Sequence, residues 1–407
     1  MLAQELLEAR KERGLNIAKT CKITKNGNGW IVPSQSNGAT YDVEFSEFEN
    51  TQSCTCPDYQ YRKIKCKHIF AVELIVTEEI NEEGTVTQTV TKRVSYAQNW
   101  QAYDHAQIHQ KELFMQLLGD VTSTIPQPKY TFGRPKLPLA DMVFSSALKV
   151  FSTFSLRRFA TDMEVAKERG LIDKVPYYST VARYMESPEL TPIIKDLITI
   201  TSLALASVEN DFTIDSSGFG TSRFIKWFDH KYGKDKDVRT WVKAHVACGV
   251  KTNIVTAVEL TMTNERDSKF LPELVMQTAQ NFTVKEVSGD KAYSSRANLE
   301  LINEIGAVPY IPFRKGTTGR AKNAPTWKKM YHYFEYKNAE FLEHYHKRSN
   351  AETTFHMIKS KFGDSVRSKM EAAQVNEVLL KVLCHNICVV IQEMFELGIE
   401  PEFFDEY

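Results

Sequence analysis

The sequence predicts a multidomain α+β / α/β chain: a mixed β-sheet flanked by helices, preceded by an all-helical segment and a small ββα module that carries a tight cluster of metal-ligating residues. Three observations carry this reading. Strand-like and helix-like stretches alternate through residues 206–395, residues 139–205 are helical in pattern throughout, and Cys54, Cys56, Cys66 and His68 fall within fifteen residues just after two strand-like runs.

Along the chain, residues 1–85 form the first module. Residues 1–20 read as a short amphipathic helix, and GNGWIVPSQSNGATYDVEF reads as two strands: Trp30 and Val32 alternate, as do Tyr41, Val43 and Phe45, with turn residues at Ser36 to Gly38. The ligand cluster follows, and HIFAVELIV begins a helix. Residues 86–131 hold a helix from Ala97 to Leu118 and a Pro-rich linker. Residues 132–205 give several helices. Among them VPYYSTVARYMES is a short helix after a turn, with Ser179 or Thr180 as its cap, an arrangement compatible with reading DNA. From Asp211 the period changes: a short strand DFTIDSS, a hairpin of longer strands, and then helix, strand, helix and strand in turn. Residues 311–340 are a basic insertion expected as a loop, residues 341–362 and 366–395 are helices, and residues 396–407 form an acidic tail.

Composition excludes several classes. A chain of 407 residues, 42% hydrophobic and 25% charged, is neither wholly disordered nor short of core. Lys plus Arg and Asp plus Glu number 51 each, so no overall positive field announces a polyanion partner. The local distribution is less even. Ile311 to Met330 holds six basic residues and no acidic one, and Arg62, Lys63, Lys65 and Lys67 surround the third cysteine. An odd cysteine count of seven, unevenly spaced, argues against a secreted disulfide scaffold. No signal-peptide h-region and no uninterrupted apolar run of about 18 residues is read, so no membrane partner is expected.

The cysteine cluster runs C-x-C, nine residues, C-x-H. Structural zinc takes four ligands, mostly thiolate with at most a few imidazoles, in a tetrahedron, and a small module gains from such a staple. One zinc on Cys54, Cys56, Cys66 and His68 is therefore expected. The order of ligands after a hairpin resembles the SWIM-type zinc finger, which implies a DNA- or protein-binding unit.

Three acids stand in positions that ask for partners: Asp215 in a strand before a Gly-containing turn, Asp290 at the end of another strand, and Glu352 on a helix. Two strand-borne acids and one helix-borne acid can gather divalent cations, Mg²⁺ or Mn²⁺, which prefer such hard oxygen ligands. Two ions about 4 Å apart would divide the work of phosphodiester chemistry. On the helix, Arg348 and Glu352 are i,i+4 neighbours, with Tyr345 and Lys359 on the same face.

Tyr345, two residues, Arg348, three residues, Glu352, six residues and Lys359 together resemble the signature around the catalytic glutamate of the DDE transposases of bacterial and archaeal insertion sequences. TIDSSGF and SGDKAYSS resemble the two aspartate motifs of that family. The resemblance runs from about Phe132 to Ile391, with Ser217 and Ala292 as departures where many relatives have Thr and Gly. It implies a ribonuclease-H-like catalytic domain with Asp215, Asp290 and Glu352 as metal-binding catalytic residues. It also implies that Tyr345, Arg348 and Lys359 position transposon-end DNA. Arg62, Lys63, Lys65, Lys67, Arg314, Lys315 and Arg320 are expected to meet DNA backbone. The implied function is metal-dependent cleavage and strand transfer of insertion-sequence ends by a homodimer on double-stranded DNA, in the cytoplasm and nucleoid of a prokaryotic cell. A non-catalytic DNA-binding derivative and a nuclease without strand transfer are the alternatives.

Overall fold

The computed structural model describes residues 10–403 apart from 12, 15, 19–20, 22, 27–28, 35–39, 47–50, 63–64, 74–77, 81–85, 89–98, 130–131, 134–135, 222–240 and 263–264. The chain forms two compact units, Met1–Arg93 and Val94–Tyr407.

In the first unit, residues 10–11, 13–14 and 16–18 are helical; the rest of the expected N-terminal helix and the Ser36 to Gly38 turn lie outside the described residues. The sheet is larger than a ββα reading allows. Strands β1 (Thr24–Asn26), β2 (Gly29–Pro33), β3 (Thr40–Ser46) and β4 (Thr51–Cys54) form an antiparallel meander. The nine-residue gap between ligand pairs also holds a short helix, α1 (Pro57–Arg62), before α2 (Lys67–Glu73). Its start follows local rules, with Pro57 as the first helical residue and Asp58 in the first turn. Asp58 also accepts from Arg10 Nε and Nη2, both at 3.1 Å, which ties the N-terminal helical residues to α1. Gly14 allows close approach there, since a Cβ would stand 2.6 Å from that of Phe70. The core is small: Ile17, Ile23, Val32, Val43, Ile69 and Val72 close around the three cysteines. Strands β5 (Glu78–Ile80) and β6 (Val86–Gln88) form a separate ribbon.

The second unit begins with five helices: α3 (Trp100–Ser123), α4 (Leu139–Ser152), α5 (Ala160–Glu168), α6 (Tyr178–Met185) and α7 (Leu190–Leu203). Helix α6 starts one residue before Ser179, so neither Ser179 nor Thr180 caps it; its N-cap is Tyr177, without a side-chain bond. The mixed sheet follows, with β7 (Asp211–Gly220), β8 (Trp241–Gly249), β9 (Val255–Thr261), β10 (Glu286–Gly289) and β11 (Val308–Tyr310) in the order β11-β10-β7-β8-β9. Strands β7, β10 and β11 run parallel, and β8 and β9 are antiparallel to their neighbours. Helices α8 (Leu271–Asn281) and α9 (Arg296–Glu304) connect the later strands. Helices α10 (Pro325–Tyr336), α11 (Asn338–Tyr345), α12 (Ser349–Phe362) and α13 (Glu371–Glu396) complete the unit. The basic insertion is thus a loop only as far as residue 324, and then a helix.

Alternation along β7 sends its side chains into two cores. Phe212 and Ile214 join a core with Leu271, Leu274, Val287 and Leu299, whereas Phe219 joins the other with Phe355, Ile358 and the buried length of α13. The helices before the sheet share that second core, so α13 is apolar nearly all round because it is enclosed nearly all round. By length and composition it could cross a membrane, but 83% of its most apolar window is buried within the protein. Polar side chains on α13 register the packing. Asn386 accepts from Val255 N at 3.0 Å and donates to Val255 O and Ile198 O, joining β9 and α7. Asn376 donates to Met185 O and Ser187 O, satisfying carbonyls left open at the end of α6.

His385 carries a pH prediction. It is buried, and its Nε2 stands 2.9 Å from Asn253 O, so the neutral ring donates from Nε2. Burial pushes its pKa down to about 4. A histidine with a depressed pKa contributes full stability above its unfolded value of about 6.5, and loses it as pH falls toward the folded value. His245, also pushed down to about 4 by burial, acts in the same sense. Glu393, held up to about 7 by burial, acts in the opposite sense, its contribution being present at low pH and lost as pH rises toward 7. The net slope therefore hides the parts. Replacing His385 by Gln, which keeps an N–H donor, should recover about 2 kcal/mol at pH 5 relative to pH 7, an upper bound from the pKa displacement. Thermal melts of both proteins at the two pH values check this; parallel pH dependence would rule out buried His385 as a source.

Candidate catalytic and metal sites

The acid site is built where β7 and β10 run side by side. The register pairs Ile214 with Gly289, so Asp215 and Asp290 are the next residues on adjacent strands. Alternation turns both side chains toward α12. The third acid arrives differently from expectation, because the helix that carries it is broken. Helix α11 ends at Tyr345, His346–Arg348 form a 3₁₀ turn, and α12 starts at Ser349. Lys347 on that turn supplies a reason. Its Nζ reaches Asp211 at 2.6 Å and Glu286 at 2.7 Å, residues that are themselves paired across β7 and β10. His344 adds a contact to Glu286 at 2.9 Å and stacks on Tyr310. The turn is thereby fixed to the sheet, and the residues after it are aimed along the acid-bearing face.

Arg348 joins two of the acids. Its Nη2 lies 2.8 Å from Glu352 Oε1 and 3.5 Å from Asp215 Oδ2. Glu352 is 58% exposed at its side chain and Asp215 16%, so the site is open on the helix side and enclosed on the strand side. Burial pushes the Asp215 carboxyl above its ordinary range. The Ser216 N–H and Arg348 oppose that rise, while the charges of Glu352 and Asp290 add to it. Burial disfavours the Arg348 charge too, but Asp215, Glu352 and Asp290 more than restore it. Tyr345 is half-buried beside the same groups, and burial raises its pKa. Lys359 donates to Ser217 Oγ at 2.6 Å and lies over the Phe219 ring, so its ammonium is held against β7 two residues past Asp215.

The donor chemistry of the acids fits a divalent cation: three carboxylates share one neighbourhood, and the rise at Asp215 comes partly from their mutual repulsion, which a cation relieves. Their packing is looser than that of the cysteine site. There, the donor atoms of Cys54, Cys56, Cys66 and His68 all lie within 4.8 Å of one another, and all four residues are buried. His68 Nδ1 is 3.9 Å from both Cys54 Sγ and Cys66 Sγ. Ligands on tetrahedral zinc stand about 3.6 Å apart for Zn–S near 2.3 Å and Zn–N near 2.0 Å, so the group is close to the required shape. The bond from Cys54 pushes Cys66 down to about 4, and the same contact pushes Cys54 far up. A bound cation lets all three ionise.

Two segments of the chain match models of known families. Residues 207–387 match the family model for the transposase DDE domain, and residues 41–76 match that of the SWIM zinc finger. The chain carries a transposase DDE domain. A probable transposase for insertion sequence element ISA1214 from Archaeoglobus fulgidus is 26% identical over 213 residues, which is 52% of this chain and 63% of that protein. The Cys₃His group is the zinc-binding site of the SWIM finger.

The basic residues expected on DNA are placed unevenly. In the DDE domain, Arg314 is exposed, yet its guanidinium donates to Lys291 O at 3.2 Å and Ala292 O at 3.0 Å, bracing the turn after Asp290. Lys315 and Arg320 are exposed on the same loop. Arg320 also lines an open cavity of about 360 Å³ with Lys328 and His332. In the SWIM finger, Lys65 lies over the Phe70 ring and Lys67 is half-buried at the start of α2. Lys63 and the Arg62 side chain lie outside the described residues.

Sequence reading missed Lys347, although it stands next to the signature arginine; only its two partners, each at a strand start, reveal its use. It also missed a polar group on the far face of the sheet formed by Ser216, Lys243, His245 and Asp267. Ser216 Oγ donates to Asp267 Oδ2 at 3.2 Å, Lys243 pairs with Asp267, and buried His245 stacks on Phe270. A lysine and a histidine two apart on a strand whose other residues are apolar were the available signal.

Proposed function

We propose that this protein is a DNA transposase that cleaves and joins insertion-sequence ends at the Asp215, Asp290 and Glu352 site. The carrying observation is the arrival of these three acids, far apart in sequence, in one neighbourhood organised by Arg348. Asp215 and Asp290 would hold a cation between them, and Glu352 would close the site from the helix. Bound divalent ions supply a lowered pKa for the attacking water or 3′-hydroxyl and stabilise charge at the phosphate. The chain's own groups do the rest. Lys347 fixes the turn, Arg348 keeps the Glu352 carboxylate directed at the acid pair, and Tyr345 flanks both. Lys359 holds β7 through Ser217 and offers a positive charge at the mouth of the site. Holding the reacting groups in line is the protein's largest contribution in such chemistry.

Arg320, Lys315 and Lys328 extend positive charge away from the site, where they would meet DNA backbone with Lys65 and Lys67 of the finger adding nonspecific affinity. Joining two ends calls for two such sites, so the acting species is a homodimer on DNA. The test supplies purified protein with Mg²⁺ and duplex DNA carrying the inverted repeats that flank its gene. Nicked and joined products are expected. Binding that weakens with salt, without any cleavage, would replace this reading with a DNA-binding role; cleavage without joining would reduce it to a nuclease.

A further inference from the structure

The sheet does not fix Asp290. The ladder between β7 and β10 ends at Ile214 and Gly289, so Asp290 stands one residue past the last paired position. Its carboxylate accepts from Ala292 N at 3.4 Å, a weak local bond. A metal site needs more than that, because a displacement of about 0.5 Å in a ligand already degrades such a site.

Arg314 braces the turn after Asp290 from outside, and a chain of hydrogen bonds on the opposite face ties that turn back to Asp215. Ser216 follows Asp215, and its side chain points away from α12 by strand alternation. Ser216 Oγ donates to Asp267 Oδ2. Asp267 opens a 3₁₀ turn, Asp267–Lys269, which lies against the second 3₁₀ turn, Lys291–Tyr293, directly after Asp290. Asn298 joins the two turns: its Nδ2 donates to Ser268 O at 3.1 Å and to Tyr293 O at 2.8 Å. Asn298 is 3% exposed, and its backbone N–H donates to Ser295 Oγ. The path therefore runs from Asp215 through Ser216, Asp267, Ser268, Asn298 and Tyr293 back to Asp290, with a hydrogen bond at each gap.

Building on the transposase reading, we propose that Ser216, Asp267 and Asn298 are positioning residues that set Asp290 against Asp215 for cation binding. The effect is geometric rather than a matter of net charge, because Lys243 already neutralises Asp267. Partners of this kind behind metal ligands are worth about 10- to 100-fold in affinity when removed. Their distance from the reacting groups separates them from catalytic residues: none reaches the helix side of the sheet.

The experiment measures Mn²⁺ binding to the full-length protein by electron paramagnetic resonance, alongside duplex DNA affinity and the melting temperature without divalent ions. Asp267→Ala removes the acceptor but also leaves Lys243 unpaired. Ser216→Ala keeps the Asp267–Lys243 pair and tests the tether alone. Both variants are expected to weaken Mn²⁺ about tenfold at unchanged DNA affinity, and Ser216→Ala to do so at unchanged melting temperature. Wild-type Mn²⁺ binding in Ser216→Ala would overturn the proposal and leave the acid site standing. Wild-type Mn²⁺ binding in Asp290→Asn would overturn both.

Discussion

Asp290→Asn should lower cleavage of end-bearing DNA by about a thousandfold, equivalent to about 4 kcal/mol of transition-state stabilisation, while leaving the fold intact. The substitution is close to isosteric. The bond that the Asp290 side chain accepts from Ala292 N can be kept by the asparagine oxygen. What is lost is an anionic ligand. Asp215 is enclosed and its ionisation is already opposed by burial and by its acidic neighbours, so it cannot hold a cation well alone. Glu352 is exposed and tethered to Arg348, which gives it little capacity to compensate. Mg²⁺-dependent cleavage measured beside DNA affinity is decisive. Full activity would remove Asp290 from the site, and equal loss of binding and cleavage would point to damage of a different kind. The same substitution at Asp215 is a poorer test, since Asp215 also accepts from Ser216 N and lies against Arg348.

How far the sequence revealed this site follows from how each part is held. Asp215 and Asp290 were readable because strand patterns and turn residues surround them, and a charged residue in such a setting needs a partner. Glu352 was readable from the i,i+4 spacing to Arg348. The break before it was not. His346, Lys347 and Arg348 have unremarkable helix propensity, and the 3₁₀ turn coincides with Lys347 reaching Asp211 and Glu286, both more than 60 positions earlier. Local patterns cannot report such a tertiary contact. Asp267 was unreadable for the same reason: in a polar run, a loop acid looks like any other until its strand partners are known. Arg314 shows a use that the local sequence hides. A positive charge in a basic loop suggested DNA, yet its fork fits two carbonyls of the turn after Asp290. In the finger, the ligand spacing was fully legible. The helix Pro57–Arg62 inside the gap is signalled by Pro57 and Asp58.

Cys66→Ser should abolish zinc binding and unfold the first unit, with residues 94–407 retaining their own core. The small core explains why. Among the described residues, Ile17, Ile23, Val32, Val43, Ile69, Ala71, Val72 and three thiols are its buried apolar part, too little area to offset the chain entropy of ordering the unit. Zinc in sites of this type contributes about 10 kcal/mol or more to folding, so its loss exceeds any reserve the unit holds. Serine keeps the shape and a polar atom but offers no thiolate, and the Cys66 thiol is buried within 3.9 Å of His68 Nδ1 among the other ligands. Substituting it removes one of four ligands from a tetrahedral site. The measurements are zinc content by elemental analysis and limited proteolysis of the full-length chain. One zinc per chain in the wild type, none in the variant, and new cleavage confined to the first 93 residues are expected. A folded, protease-resistant first unit without zinc would show that its apolar contacts suffice, and that the four buried ligands have another use.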